Sequence, residues 1–160
     1  MEKINHSIKL KNDLNDLNKI KEVVGKLTSS IYCPKKKCME IDLVLEELFV
    51  NVVHYAFNDD KEHEIKLSLT MDENVLTIQL EDDGKPFDIT AATSPDTKCA
   101  LEKRCVGGLG IHFVKHFTND SRYYRKNGKN VLILKKEITD DDQCTKQPPN
   151  VNIKDKGCDE

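Results

Sequence analysis

The sequence predicts an α+β domain built in two layers, with helices covering one face of a mixed, mainly antiparallel sheet. Two observations carry this prediction. Apolar residues recur at helical spacing early in the chain, and later they alternate with polar residues across short turns. Alternating strands joined by short turns pair as hairpins with one apolar face, and the helices are the elements that can cover this face. The length of 160 residues suits one such domain.

Two amphipathic helices are predicted before any strand. From Asn12 to Ile31 the apolar residues keep near-helical spacing, and Pro34 with the basic run 35–37 interrupts the pattern. A second helix then carries one apolar stripe, formed by Ile41, Val44, Leu45, Leu48, Val52 and Tyr55. We expect each helix to bury its apolar stripe.

Two hairpins follow the helices. Alternation over 65–71 and 76–80 predicts a first hairpin with one buried face. The segment Ser121 to Arg125, a turn at Asn127-Gly128 and a strand from Asn130 to Ile138 predict a second hairpin.

Two segments show neither helical spacing nor strand alternation. Residues 89–106 predict a long loop, which inside a compact domain often acts as a lid. Beyond Thr139 the chain becomes acidic and polar, with Pro148-Pro149. We therefore expect an ordered domain over 1–139 and a disordered C-terminal tail over 140–160.

Composition narrows the function classes. The net charge of −3 gives no reason to expect binding to nucleic acid. No apolar run approaches the roughly 20 residues of a membrane span, and no signal peptide is apparent. The spacing of the six cysteines supports neither a disulfide framework nor a zinc site. The expectation is a cytoplasmic protein with reduced thiols that does not bind membranes.

A first candidate site pattern lies on the second helix. Glu47 and Asn51 are one turn apart, so a carboxylate and an amide face the same space. Such a pair can supply a general base and an oxygen ligand for Mg²⁺. On spacing alone, a solvated helix face is the favoured interpretation.

A second pattern lies at the end of a strand. Strand parity places Asp82 on the same side as Leu80, facing the helices, and Asp83 on the other side. A buried carboxylate requires hydrogen-bond donors, and an adenine amino group can be one. Gly84 allows a ligand to approach the backbone closely. An isolated Asp-Asp-Gly would be assigned to a turn.

A third pattern is the glycine turn Gly107-Gly108-Leu109-Gly110, which precedes a short helix through Phe117. Free amides at a helix N-terminus can bind phosphate oxygens, although this signal is weak alone. His112 and His116 are one turn apart on that helix, but a metal site is a poor interpretation without a third ligand.

In this order, the three patterns resemble the N, G1 and G2 boxes of the GHKL ATPase superfamily, which has the Bergerat-type ATP-binding fold. Within that superfamily the chain looks most like the stand-alone anti-sigma-factor serine/threonine kinases. The resemblance covers about residues 8–138. Its motifs are Glu47 to Phe57, Asp82 to Asp88 and Gly107 to Ile111.

The resemblance implies the nucleotide contacts. Asn51 would hold Mg²⁺, Asp82 would accept a hydrogen bond from adenine, and Gly84 would line the base pocket. Gly108 and Gly110 would approach the phosphates of ATP, together with the rest of the glycine turn.

The resemblance also implies the chemistry. Glu47 would be the general base for a serine hydroxyl, while Lys103 and Arg104 are candidates to meet phosphate charge, with a solubilising role as their alternative. His54 matches a frequent family position that has no catalytic role. Asn130 stands where the family commonly has a small or hydroxyl residue, so adenine contacts beyond Asp82 stay open.

The resemblance implies a homodimeric kinase that would use Mg-ATP, sequester a sigma factor and phosphorylate a STAS-type antagonist. A second hypothesis is a nucleotide-dependent protein-binding regulator without significant kinase activity. A third is an ATP-hydrolysing domain akin to a histidine-kinase catalytic domain, which explains the pocket but not the stand-alone length.

Overall fold

The computed structural model describes residues 3–91 and 108–139. A five-stranded sheet carries three helices, with a 3-10 turn over Leu14–Asp16. The elements in chain order are β1 (Ile4–Lys11), α1 (Leu17–Ser29), α2 (Lys35–Tyr55), β2 (Glu64–Asp72), β3 (Val75–Asp82), α3 (Gly108–Phe117), β4 (Asp120–Lys126) and β5 (Lys129–Glu137).

The sheet has the strand order β1-β2-β3-β5-β4. All four pairings of these strands are antiparallel. The predicted α+β class with a mainly antiparallel sheet is therefore confirmed, and the described strands include no parallel pair. Along β2 and β3 every second residue is buried, which is the pattern of a sheet covered on one face.

The expectation that two helices precede any strand is wrong. Strand β1 comes first and pairs with β2, with Ile8 opposite Leu67. Its more buried positions alternate and end at Leu10, which is 1% exposed. The alternation is difficult to recognise from sequence because His6 takes one of these positions. The first helix also begins later than predicted, at Leu17, and the apolar residue Leu14 within the predicted range is exposed.

The core lies between the helices and the sheet. Helix α2 contributes Phe49, which is fully buried, and α1 contributes Leu27. One charged pair shares this interior: Lys136 on β5 contacts Glu40 on α2 through a hydrogen bond from its Nζ atom to Oε2. The Lys136 Nζ atom also donates to the Phe117 carbonyl oxygen at 2.7 Å, so α2, α3 and β5 meet at this ammonium group.

Two cysteines lie close together where the connection between α1 and α2 meets the first turn of α2. The Cα atoms of Cys33 and Cys38 are 6.1 Å apart. The first turn of α2 begins at Lys35 and brings the backbone of residue 38 back towards the preceding loop, where the Cys38 amide donates to the Pro34 carbonyl oxygen at 3.0 Å.

Both predicted hairpins are present. The turn between β4 and β5 has positive φ at both of its central residues, Asn127 and Gly128, as a two-residue hairpin with the native strand twist requires. Most of the predicted lid, residues 92–106, and the predicted tail from 140 onwards lie outside the described residues. Within the described ranges, no helix is long and apolar enough to cross a membrane.

Candidate functional site

A cavity of about 520 Å³ opens between the C-terminal half of α2, the start of α3, and the strands β3, β4 and β5. Small-molecule sites commonly have this size and a mostly apolar wall. The apolar wall includes Leu48, Val52, Tyr55, Ala56, Leu80, Pro86, Phe87, Ile89, Ile111, Tyr123 and Leu132. The polar residues of the wall are Asn51, Asp82, Lys85 and Asn130.

Asp82 is the acidic residue of this wall and is 7% exposed. The prediction that strand parity turns it towards the helices is confirmed, while Asp83 is exposed. Its Oδ1 atom accepts hydrogen bonds from the Gly84 amide and from Asn130 Nδ2, each at 2.8 Å. Within the described chain, Oδ2 has no protein donor. A ligand in the cavity can therefore bind Oδ2.

Burial disfavours the ionised form of the Asp82 carboxyl group. Burial raises the pKa of Asp82, and the neighbouring charge of Asp83 raises it further. The hydrogen bonds from Asn130 and Gly84 lower the pKa, as does the positive charge of Arg125. The ionised form of Asp82 thus depends on the donors that surround it.

Gly84 lies directly against the end of α2. A Cβ atom added there would be 2.5 Å from the Ala56 Cβ and 2.7 Å from the Ala56 carbonyl oxygen. The next amide, of Lys85, donates to that same carbonyl oxygen at 2.8 Å. The absence of a side chain at Gly84 therefore allows the segment after β3 to contact the helix and places Asp82 at the cavity.

Asn51 and Glu47 occupy the same side of α2 but differ in placement. Asn51 lines the cavity, with its amide able to offer one oxygen to a cation. Glu47 lies one helical turn earlier, is half-buried, and is absent from the described wall of the cavity. No group of three or more His, Cys, Asp or Glu side chains suited to a metal occurs in the described ranges. A cation at Asn51 would take its other ligands from a bound molecule and water.

The glycine turn lies partly outside the described residues. Helix α3 begins at Gly108, and Gly110 is in its first turn, followed by the cavity residue Ile111. The first amides of a helix lack intrahelical acceptors and can bind anions. Gly107, Lys103 and Arg104 lie outside the described residues.

The histidines that the sequence singles out lie elsewhere. His54 is exposed at the end of α2. The rings of His112 and His116 stack with centroids 5.8 Å apart, and neither ring belongs to the described wall of the cavity.

Sequence reasoning missed His63, which connects two loops beside the site. Its Nε2 atom lies 2.7 Å from Asp59 Oδ1, and its Nδ1 atom lies 3.0 Å from Asp83 Oδ1. The Phe57 ring stacks on the imidazole with centroids 4.1 Å apart. These hydrogen bonds raise the pKa of His63, and the one to Asp59 has the largest effect. The contact between residues 63 and 83 lies just beyond the paired ends of β2 and β3, so only the exact register of that hairpin could have indicated it.

The comparisons with known proteins agree with this geometry. Residues 10–136 match the model of the histidine kinase-like ATPase domain. The chain belongs to this family. As a histidine kinase-like ATPase domain, it is expected to bind nucleotide, and the cavity beside Asp82 is the candidate site.

Curated relatives of this ATPase domain are named as kinases. The chain is 30% identical over 94 residues to the serine/threonine-protein kinase BtrW of Bordetella bronchiseptica, covering 59% of this chain and 66% of the relative. It is 24% identical over 100 residues to the serine-protein kinase RsbW of Listeria monocytogenes, covering 60% of this chain and 64% of the relative. The alignments thus span about two thirds of each relative's length.

Solved structures share the fold of this ATPase domain. The RsbU and RsbW domains of a Mycobacterium tuberculosis protein match with a TM-score of 0.60 and 12% identity, over 84% of this chain and 32% of that chain. A blue-light activated histidine kinase of Erythrobacter litoralis matches with a TM-score of 0.53 and 13% identity, over 78% of this chain and 42% of that chain.

Proposed function

We propose that this chain binds Mg-ATP in the cavity and transfers the γ-phosphoryl group to a serine or threonine of a partner protein. The observation that carries the proposal is Asp82: a buried carboxylate with one oxygen lacking a donor, in the apolar cavity of a histidine kinase-like ATPase domain. The kinase names of the curated relatives support the choice of reaction.

The cavity suits a nucleotide base. Asp82 Oδ2 would accept a hydrogen bond from the adenine amino group, and the apolar wall would cover the ring faces. Asn51 would offer one oxygen to Mg²⁺, which would otherwise be held by phosphate oxygens and water. The amides at the start of α3, with Gly108 and Gly110, would bind the phosphates.

Glu47 is the proposed general base. It would accept the proton of the acceptor hydroxyl while that oxygen forms a bond to the γ-phosphorus and the bond from the γ-phosphorus to the bridging oxygen breaks. ADP would leave with the electron pair of that bond. In such reactions positioning and charge neutralisation supply most of the rate enhancement.

A thermal-shift titration with ATP, ADP and Mg²⁺ tests nucleotide binding. A ligand that binds the native state at 100 times its Kd stabilises that state by about 2.7 kcal/mol, so the wild type should unfold at a higher temperature with nucleotide. Asp82→Asn should lose most of this shift because the amide removes the carboxylate acceptor. A wild type whose unfolding temperature does not respond to any nucleotide would refute the proposal.

Glu47→Gln tests the kinase step, with Glu46→Gln as a matched control because Glu46 is the exposed neighbour on α2. The chain is incubated with Mg-ATP and a candidate antagonist, and phosphoserine is measured by mass spectrometry. We expect Glu47→Gln to bind ATP but lose phosphotransfer by about 100-fold or more, and Glu46→Gln to retain both.

A second candidate function is a nucleotide-dependent binding regulator without significant kinase activity. The position of Glu47 outside the described cavity wall favours it. Under this alternative, Glu47→Gln leaves partner binding and its nucleotide dependence unchanged, and no phosphoserine forms with the wild type.

The partners follow from the family resemblance. We propose a sigma factor and a STAS-type antagonist as partners, in the cytoplasm, with the chain as a homodimer. Light scattering measures the oligomeric state directly. Co-purification with each candidate partner, with and without ATP, measures whether nucleotide changes which partner is bound.

A further inference from the structure

A row of three polar side chains crosses the sheet beneath the cavity. Asn130 on β5 lies opposite Asp82 on β3 and opposite Arg125 on β4. Side chains directly opposite one another in antiparallel strands are close enough to interact. The register therefore connects the carboxylate of the site to a guanidinium group two strands away.

Asn130 is buried, and its side-chain amide is fully hydrogen-bonded. Its Nδ2 atom donates to Asp82 Oδ1 at 2.8 Å and to the Lys85 carbonyl oxygen at 3.0 Å. Its Oδ1 atom accepts from the Tyr123 hydroxyl and from Arg125 Nη1, each at 2.8 Å. A primary amide has two donor hydrogens and one acceptor oxygen, so Asn130 has little capacity left for a ligand.

The hydrogen-bond partners of Asn130 determine the orientation of its side-chain amide. Arg125 has only donors, and an ionised carboxylate has only acceptors. If the Asn130 amide were flipped, its NH₂ group would face the guanidinium group and its oxygen would face Asp82, so both strong contacts would be lost. Arg125 and Tyr123 therefore fix the orientation in which Asn130 donates to Asp82.

We propose that Asn130 is a positioning residue for base recognition: held by Arg125 and Tyr123, it occupies Asp82 Oδ1 and so presents Oδ2 to the nucleotide. This inference rests on the proposed nucleotide site and assigns Asn130 an indirect role. Asn130 binds the residue that binds the base. Arg125 adds a second restraint, because its Nη1 atom also donates to the Gly84 carbonyl oxygen at 2.9 Å.

The proposal predicts an effect on protonation as well as on geometry. The charged groups around Asp82 are Asp83 on the same segment, Arg125 from β4, and Lys85 in the cavity wall. Without the Asn130 donor, burial and Asp83 would raise the pKa of Asp82 further. A proton bound to Oδ2 would then compete with the nucleotide's amino group for that oxygen.

The test measures ATP affinity by calorimetry between pH 5.5 and pH 8 for the wild type, Asn130→Ala and Asp82→Asn. A hydrogen bond to a charged group contributes about 1.5–3 kcal/mol, so we expect Asn130→Ala to weaken ATP binding at pH 8 at least about 10-fold. The loss should grow as the pH falls. Asp82→Asn should bind weakly at every pH, because it has no carboxyl group to protonate.

Milder variants keep the test informative if Asn130→Ala does not fold. Tyr123→Phe removes a single hydroxyl donor to Asn130, and Arg125→Met removes the guanidinium group. Arg122→Gln is the matched control on β4, because the Arg122 side chain is 74% exposed and its ion pair is with Asp120. We expect weaker ATP binding with Tyr123→Phe and Arg125→Met, and unchanged binding with Arg122→Gln.

An NMR titration of the Asp82 carboxyl carbon in the nucleotide-free protein separates this inference from the proposed function. A higher Asp82 pKa in Asn130→Ala than in the wild type supports the positioning role even before ATP is added. An unchanged pKa together with an unchanged pH profile for ATP binding would overturn it. A wild type that binds no ATP at any pH refutes the nucleotide site and, with it, the role of Asn130 in base recognition.

Discussion

Replacing Gly84 with alanine tests how closely the segment after β3 must approach α2. The added Cβ atom would lie 2.5 Å from the Ala56 Cβ, 2.7 Å from the Ala56 carbonyl oxygen and 2.8 Å from Asp82 Oδ1. Carbon atoms in favourable contact are about 3.5–4.0 Å apart. The methyl group therefore requires a displacement of about 1 Å. Two of the three obstacles are atoms of Ala56, the residue that caps α2, and they cannot rotate away as a flexible side chain can.

The expected change in the free energy of unfolding of Gly84→Ala combines two opposing effects. Overpacking of this kind typically costs about 1–3 kcal/mol. The φ of Gly84 is not positive, so alanine would also restrict the unfolded chain and recover about 0.4–1 kcal/mol. We expect a net loss of about 1–2 kcal/mol in the free energy of unfolding. Nucleotide affinity should fall at least about 10-fold, corresponding to about 1.4 kcal/mol, because Asp82 moves with the segment.

Gly25→Ala is the matched control for this substitution. Gly25 is exposed within α1, and no atom lies within 4 Å of its added Cβ. Alanine there should raise the free energy of unfolding by about 0.5–1 kcal/mol and leave ATP binding unchanged. Urea denaturation and ATP calorimetry on both variants provide the measurements. A Gly84→Ala protein as stable and as tight-binding as the wild type would show that close packing against Ala56 is not needed.

Two further predictions concern polar contacts away from the cavity wall. Lys136→Met leaves Glu40 buried without its partner, so we expect the free energy of unfolding in urea to fall by about 3–5 kcal/mol. Adding Glu40→Leu should recover much of this loss, because no unpaired charge is then buried. Equal losses in the single and the double variant would contradict this reasoning. The hydrogen bonds that His63 donates to Asp59 and, with a smaller effect, to Asp83 raise its pKa above the usual value. The stabilisation is therefore complete below the unfolded-state pKa of about 6.5 and is lost as the pH rises through the folded-state pKa. Unfolding temperatures should fall over that window in the wild type, and a His63→Gln variant with the same pH dependence would argue against this role.

The sequence predicts the parts of the fold that local periodicity controls. Alternation alone is enough to place Asp82 on the helix side of β3, because side chains alternate strictly along a strand. The turn at Asn127-Gly128 is equally local, since positive φ at two successive residues favours this residue pair. Strand β1 is missed because its alternation is weak: a polar residue, His6, takes one of the partly buried positions.

The remaining parts of the site depend on contacts between distant segments. Asn130 lies 48 residues from Asp82, and His63 lies 20 residues from Asp83. The first contact cannot be predicted without the strand order, which places β5 between β3 and β4. The second lies just beyond the paired ends of β2 and β3, so it requires the exact register of that hairpin. The sequence does indicate that Asn130 departs from the usual family residue. Its hydrogen-bond partners emerge only once the register is known.

The register of β5 is the feature that the site and the core share. Asn130 near one end of β5 contacts Asp82, and Lys136 near the other end contacts Glu40. A slip of one residue turns every side chain of a strand to the opposite face. It would leave both carboxylates buried without their partners, in addition to exposing the apolar residues between them. We infer that the two polar pairs make the competing registers unfavourable, so the contacts that orient Asp82 also help to select the strand pairing on which the cavity depends.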